Sequence, residues 1–390
     1  MVRIDNDNTS VVGLVDKIIN QAIFLRASDI HLEVMEKYLR VRYRIDGILY
    51  DQNQIRSDLM FQVISRIKVL ANIDIAQKRV PQDGKFNINY NNHLIDLRIS
   101  TFPAIYGEKI VIRILDKTKT AIDLETLGFD EDTLNKFKKL INKSNGFILV
   151  TGPTGSGKTT TLYSALSYLH SPEKNIITLE DPVEYHIDGI TQAQIHPDGG
   201  FTFAKGIRSL LRQDPDIAMI GEIRDKESAK IAIEAALTGH LVFSTLHTNN
   251  APSAIMRLMD MSIEPFLINA AITGVMAQRL ARKICQNCKY QYVPNAKEQK
   301  ALCELNAKLD CLYKGKGCNE CNNLGYKGRT GIFELLIMTD DLCSLIVEHP
   351  RFEAIQNQAI ADGMHTLLDD GILKLKDGII SLEELIKVIA

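Results

Sequence analysis

The spacing of apolar residues changes near residue 120, and the change divides the chain. Val11, Val12, Leu14, Val15, Ile18, Ile19, Ala22 and Ile23 recur at helical intervals, which predicts an amphipathic helix over residues 8–26. Alternating or β-rich runs follow at 29–33, 39–45, 85–90, 94–100 and 109–115, with a helical stretch over 59–71 between them. Asp46-Gly47 and Asp83-Gly84 read as turns that punctuate these runs. This pattern predicts an α+β domain over residues 1–118. Residues 116–120 are polar without an apolar period, so a boundary is expected over 116–124. From Asp123 onward, long helices alternate with single apolar strands at 147–150, 175–179, 217–220 and 241–246, as in α/β folds. That second domain is expected to fill residues 123–390 and to end in helices. No internal repeat or low-complexity segment interrupts either part.

The strand at 147–150 opens onto Gly152-Pro153-Thr154-Gly155-Ser156-Gly157-Lys158-Thr159-Thr160. Leu162, Ala165, Leu166 and Leu169 then continue at helical spacing. Strand, glycine loop and helix together are the context that makes G-x-x-x-x-G-K-[ST] a phosphate loop rather than a chance glycine-rich turn. The glycines let successive N–H groups face inward, at a helix N-terminus that already favours anions. Lys158 is expected to reach the β- and γ-phosphates, and Thr159 to offer its hydroxyl to Mg²⁺. A nucleoside triphosphate, ATP with Mg²⁺, is the implied ligand.

Ligands of parallel α/β sheets gather outside the carboxyl ends of the strands, so the acids there are candidates. Glu180 and Asp181 follow the strand at 175–179, and Gly221-Glu222 follows the strand at 217–220. Such a site needs one acid to hold Mg²⁺ through its water shell and one to orient or deprotonate water. An Asp usually ends that third strand; here Gly221 takes its place and Glu222 follows. His240 and His247 flank the strand at 241–246 and are candidate γ-phosphate sensors, although a strand-end histidine is commonly a hydrogen-bonded core residue.

Cys285-Gln286-Asn287-Cys288 and Cys318-Asn319-Glu320-Cys321 are C-x-x-C pairs separated by residues 289–317. Their thiolates suit a structural Zn²⁺ with every tetrahedral position filled, within a knuckle expected over 283–330. The separation is longer than that of a single zinc ribbon. Cys303, Cys311 and Cys343 do not fit the pattern.

Composition sets limits on these readings. The chain has 390 residues, too many for one ordinary core, with 45% hydrophobic and 24% charged residues. A net charge of -2 gives no global attraction to nucleic acid or anionic lipid, and no basic stripe is visible. No apolar stretch is long enough to span a membrane, and the polar start does not read as a signal peptide, so a cytoplasmic setting is expected. The seven cysteines then read as thiols or metal ligands rather than disulfides.

Several stretches together resemble the secretion ATPases that drive type II secretion and type IV pilus assembly. ITLEDPVEYHIDGITQAQIHPDGGFTFAKGIRSLLRQDPDIAMIGEIRD is similar to that family's Asp box and variant Walker B, and GHLVFSTLHTNNAPSAIMRL to its His box. Upstream, ASDIHLE, RVRYRIDG, SRIKVLANIDIAQKRVPQDG and DLRISTFPAIYGEKIVIRIL resemble its second N-terminal domain. The resemblance implies a RecA-like P-loop core preceded by the smaller α+β domain, in a homo-hexameric ATPase. It implies that Arg98 and Arg113 approach the phosphates as arginine fingers, with Arg208 and Arg212 as weaker candidates. It also implies that the long cysteine spacing is the insertion of secretion and pilus-extension members. The expected partner is an inner-membrane platform protein at the cytoplasmic face, with no direct contact to nucleic acid. Family members usually carry a further docking domain ahead of the matched region. Only about ten residues precede it here, so the chain is expected to be either a short form without that domain or a piece of a longer protein. Alternatives within this reading are a DNA-uptake or conjugation-type ATPase, or a nucleotide-gated scaffold with little hydrolysis.

Overall fold

The computed structural model describes residues 10–116, 122–196 and 199–389. It divides into two compact units, one ending at Thr120 and one starting at Ala121. Of the expected boundary, residues 117–121 lie outside the described residues.

The first unit runs α1 (Val11–Phe24), β1 (Asp29–Val34), β2 (Tyr38–Ile45), β3 (Ile48–Arg56), α2 (Ser57–Leu70), β4 (Gln82–Tyr90), β5 (His93–Ala104) and β6 (Gly107–Asp116). The strands form one antiparallel sheet in the order β3-β2-β1-β6-β5-β4. Leu39, Val41, Tyr43 and Ile45 of β2 are buried, whereas Arg40, Arg42 and Arg44 alternate with them on the other face. The buried face receives Leu14, Val15, Ile18 and Ile19 of α1, and the Tyr43 hydroxyl donates to the Ile18 carbonyl at 2.7 Å. A buried ion pair, Lys68 Nζ to Glu108 at 2.8 Å, ties α2 to β6; Lys68 also donates to the Gln77 carbonyl at 2.6 Å.

Two expectations need correction in this unit. β3 has no counterpart among the expected strands, because Asp51-Gln52-Asn53-Gln54 is polar and the strand lies at the sheet edge. Asp83-Gly84 is not a turn but part of β4. There the glycine serves close approach: a Cβ on Gly84 would lie 2.6 Å from the Ala71 carbonyl oxygen.

The second unit begins with α3 (Glu131–Ile141), β7 (Gly146–Thr151), α4 (Lys158–Leu169), β8 (Ile176–Glu180), β9 (Thr191–Gln194), α5 (Phe203–Leu210) and β10 (Ile217–Ile220). It continues with α6 (Lys226–Leu237), β11 (Leu241–Leu246), α7 (Ala251–Asp260), α8 (Pro265–Ala271) and β12 (Ile272–Ile284). Then come β13 (Lys289–Tyr292), α9 (Ala296–Glu304), β14 (Leu312–Gly315) and β15 (Tyr326–Ile337). The chain closes with α10 (Asp340–Val347), α11 (Phe352–Ala361), α12 (Leu367–Lys376) and α13 (Leu382–Ile389). Seven strands form a sheet in the order β15-β12-β7-β11-β10-β8-β9, parallel except for β15.

Cores lie on both faces of this sheet. Along β7, Phe147 and Leu149 point into the core built with α5, α6 and α7, while Ile148 and Val150 point into the core built with α3 and α4. Burial on both faces explains why the central strands read as unbroken apolar runs. The strands β9, β12 and β15 go beyond the expected set. β9 is a four-residue polar edge, and β12 carries Gln278, Arg279 and Arg282 within its apolar pattern.

Candidate nucleotide site and metal centre

The parallel register aligns the carboxyl ends of the central strands. Thr151 pairs with Leu246, and Ile220 is flanked by Ser244 on β11 and Leu179 on β8. The phosphate loop, His247, Glu222 and Glu180 therefore leave the sheet along one edge. Thr151 and Thr248 lock two of these exits together, their hydroxyls 2.7 Å apart.

Gly152 and Gly157 sit at φ 145° and 92°, backbone that L side chains rarely adopt. A Cβ on Gly152 would come within 2.4 Å of the Gln278 carbonyl oxygen, and one on Gly157 within 2.8 Å of Gln278 Nε2. The loop is thus pressed against β12, and Gln278 itself is fixed by accepting the Thr161 hydroxyl at 2.8 Å. Pro153, Thr154 and Gly155 form the exposed crest, while Ser156 is buried. Among the described residues the Ser156 hydroxyl has no hydrogen-bond partner, so the loop retains an unused polar group. Lys158 folds back, Nζ donating to the Gly152 and Pro153 carbonyls at 2.8 and 3.2 Å. Burial lowers its pKa, opposed by the charge of Glu222. Thr159 is exposed, with Thr160 beside it on the first turn of α4. A loop of this geometry, with a buried cation behind it, fits a phosphate chain, and an exposed Thr159 hydroxyl fits Mg²⁺ accompanying it.

The two glutamates occupy different environments. Glu180 is 3% exposed, with one carboxylate oxygen accepting from Tyr163 and the other from Thr178 at 2.6 Å and Gln192 at 3.2 Å. Burial pushes its pKa up against those hydrogen bonds. Glu222 is more open: one oxygen accepts from Arg224, and the other lies 3.4 Å from His247 Nε2. Burial alone would raise the Glu222 carboxyl, but Arg224 and His247 outweigh it and hold it below the usual glutamate range. Asp181 is 3.7 Å from the same Arg224 guanidinium. Of the two, Glu222 has the more accessible carboxylate, and Glu180 is built into the core.

His240 does not belong with this group. It precedes β11 at the opposite edge of the sheet, and its Nδ1 is 2.9 Å from the Ala235 carbonyl at the end of α6. Arg208, on the surface of α5, pairs with Glu227 at 2.5 Å, and Arg212, just past the end of that helix, donates to the Arg208 carbonyl at 2.8 Å.

In the first unit, Arg98 and Arg113 are direct cross-strand partners, and Lys85 stands opposite Arg98 on β4. Directly paired residues share a sheet face, so three cations lie abreast, a destabilising arrangement for an ordinary surface. Asp29 is the acid of that row, 3.2 Å from Arg113. Arg98 and Arg113 line a cleft of about 640 Å³ together with Lys85, Ser100 and Asp83. The row is legible only from strand register.

The four cysteine sulfurs of the two C-x-x-C pairs lie within 4.8 Å of one another, with Cys285–Cys318 and Cys288–Cys321 both at 3.8 Å and Cys318–Cys321 at 3.7 Å. A tetrahedron with Zn–S bonds of about 2.3 Å has edges of about 3.8 Å, so the cluster fits Zn²⁺. Backbone N–H groups of Cys318 and Gly325 donate to Cys321 Sγ at 3.2 and 3.3 Å. Against the raising effect of burial, these donors bring the Cys321 pKa down to about 7, whereas burial raises the Cys285 and Cys288 thiols, whose protons a bound metal would displace. The cluster closes the gap between β12 and β15, and the β13–β14 ribbon lies between its halves. Cys303, Cys311 and Cys343 stand outside it.

A phosphate loop on a parallel strand, a strand-end glutamate two strands away, and a doubly wound sheet define a P-loop ATPase with a RecA-like core. The described residues contain no helix long and apolar enough to cross a membrane. The family described as type II/IV secretion system protein matches residues 5–387, and the chain belongs to it: it is a secretion and pilus-assembly ATPase. The type II secretion system ATPase E of Vibrio cholerae is 47% identical over 382 residues, spanning 98% of this chain and 76% of that protein. The type IV pilus assembly ATPase PilB of Myxococcus xanthus is 47% identical over 386 residues, 97% of this chain and 68% of its own length. Among solved structures, the pilus retraction motor PilT with bound ADP superposes with a TM-score of 0.63 at 26% identity, covering 95% of each chain.

Proposed function

We propose that the second unit binds MgATP at the carboxyl edge of its sheet and that Glu222 activates the attacking water. The observation that carries this reading is the alignment of Lys158 and Glu222 at the exits of β7 and β10, the two strands that flank β11, where the charge of Glu222 acts on Lys158. Residues 152–160 cradle the phosphates, with Lys158 leaving the Gly152 and Pro153 carbonyls for the nucleotide. Mg²⁺, held through Thr159, would neutralise charge on the β- and γ-phosphates. Glu222 accepts the water proton, while His247 and Arg224 hold its carboxylate ionised and oriented. Glu180 supports the site from below, through Tyr163 and the segment after β8. Arg98 and Arg113 are proposed to bring positive charge to the phosphates, which accounts for the like-charged row they form.

Zn²⁺ bound by Cys285, Cys288, Cys318 and Cys321 is proposed to be structural, because four thiolates leave no open coordination position. The ATPase is proposed to work as a homo-hexamer on an inner-membrane platform protein, at the cytoplasmic face, in type II secretion or type IV pilus extension. Its relatives' names, a type II secretion system ATPase and a type IV pilus assembly ATPase, support the secretion or pilus part of that reading. Lys158→Ala tests the nucleotide site. It removes the positive charge aimed at the phosphates together with the two hydrogen bonds that Nζ makes to the loop carbonyls, so ATP should no longer raise the melting temperature. Stabilisation by ATP equal to that of the wild type would overturn the reading.

A further inference from the structure

Lys158 is not alone behind the loop. Arg279 lies on β12, two residues beyond the Ala277–Thr151 pairing and next to Gln278, which packs against the loop glycines. Its guanidinium is half-buried, and its charge acts on Lys158. Burial lowers the Arg279 pKa, and Glu334 offsets this in part. Arg279 makes no ion pair among the described residues. Its contacts are its neighbour's carbonyl, Gln278 O, at 3.4 Å and Asn249 Oδ1 at 3.5 Å. Both lie at the outer limit of a hydrogen bond. Glu334 does not satisfy it, because that buried carboxylate accepts the backbone N–H groups of Ala251 at 2.7 Å and Leu367 at 3.2 Å. A partly desolvated guanidinium held only by weak neutral acceptors, whose charge also acts on Lys158, gains from an added anion.

We propose that Arg279 is a phosphate-contacting residue of the hydrolysis site, exchanging Asn249 for the terminal phosphate of ATP when nucleotide binds. This rests on the nucleotide reading above and adds a residue that neither motif nor spacing marked. The exchange has a consequence for the fold. Asn249 sits between His247, which approaches Glu222, and Asn250, whose side chain caps α7 by accepting the Ser253 N–H at 3.0 Å. Release of Asn249 therefore transmits the presence of a terminal phosphate to the start of α7. ADP lacks that phosphate and leaves Arg279 on Asn249.

The test compares calorimetric binding of magnesium AMPPNP and magnesium ADP to the wild-type full chain, Arg279→Gln and Arg279→Lys. Loss of one charge-assisted phosphate contact should weaken AMPPNP about tenfold or more in Arg279→Gln, and ADP about threefold or less. Arg279→Lys should recover part of the AMPPNP affinity, since it keeps the charge without the planar fork. The unliganded melting temperature of Arg279→Gln should be unchanged or higher, because a desolvated cation has been removed. Equal weakening of both nucleotides, or none, overturns the assignment. So does an unfolded Arg279→Gln alongside an Arg279→Lys that binds both nucleotides as the wild type does. Wild-type protein that binds neither nucleotide overturns the nucleotide reading as well.

Discussion

Glu222→Gln and Glu180→Gln, made separately, should divide catalysis from stability. Glu222 is the accessible carboxylate, and an amide there keeps the shape but cannot accept a proton from water. General-base catalysis contributes about 10²–10⁴-fold, so turnover should fall by that factor, equivalent to about 3–5 kcal/mol in the barrier. The folding cost should be small. The Arg224–Glu222 pair has side chains 58% and 20% exposed, and such pairs contribute about 1 kcal/mol or less. Glu180 presents the opposite case. At 3% exposure it accepts from Tyr163, Thr178 and Gln192, and the Tyr163 oxygen also accepts the Glu184 N–H at 3.3 Å. Replacing that ionisable acceptor by an amide leaves the donors mismatched, at a cost of about 1–3 kcal/mol. For a unit of this size the melting temperature should drop by about 2–12 °C, while turnover falls less than about tenfold. The assay is single-turnover phosphate release at saturating ATP, paired with thermal melts of the same preparations. If Glu180→Gln stops turnover at an unchanged melting temperature while Glu222→Gln stays active, the roles assigned from burial are reversed.

The pH profile checks the same assignment. Arg224 and His247 hold Glu222 below the ordinary glutamate pKa, so turnover should stay flat as pH falls from about 8 to about 6, with an acid limb only in the carboxylate range. An acid limb displaced above the ordinary carboxylate range would instead point to Glu180, whose pKa burial raises. The stability contributions have opposite signs: that of Glu222 is present above the unfolded glutamate pKa and lost as pH falls through its lower folded value. That of Glu180 is lost as pH rises through its raised folded value. Removal of Zn²⁺ by a chelator should lower the melting temperature and increase hydrogen exchange over residues 285–321, since metal affinity there is folding free energy; absence of zinc by elemental analysis would contradict it. Arg98→Ala and Arg113→Ala should lower turnover much more than nucleotide affinity, and turnover per subunit should rise with concentration alongside a hexamer in light scattering. A monomer whose turnover is flat across dilution would rule out the ring mechanism.

The phosphate loop, the central strands 147–150, 217–220 and 241–246, and the cysteine pairs were legible in the sequence. Each is local: a glycine pattern that must bend the backbone one way, a doubly buried strand that must be apolar throughout, thiols at knuckle spacing. What the sequence left open depends on contacts between distant segments. Glu180 and Glu222 look equivalent as strand-end acids, and only the placement of Tyr163, Thr178 and Gln192 makes one a buried support and leaves the other accessible. His240 and His247 flank the same strand, yet strand direction puts them at opposite edges of the sheet. Arg98, Arg113 and Lys85 become a row only through antiparallel register. Gln278 belongs to no local motif, and reaches the loop because β12 is laid beside β7; Arg279 next to it meets Asn249 for the same reason. Local chemistry is written in nearest neighbours along the chain, whereas desolvation and charge proximity are set by residues that folding alone brings together.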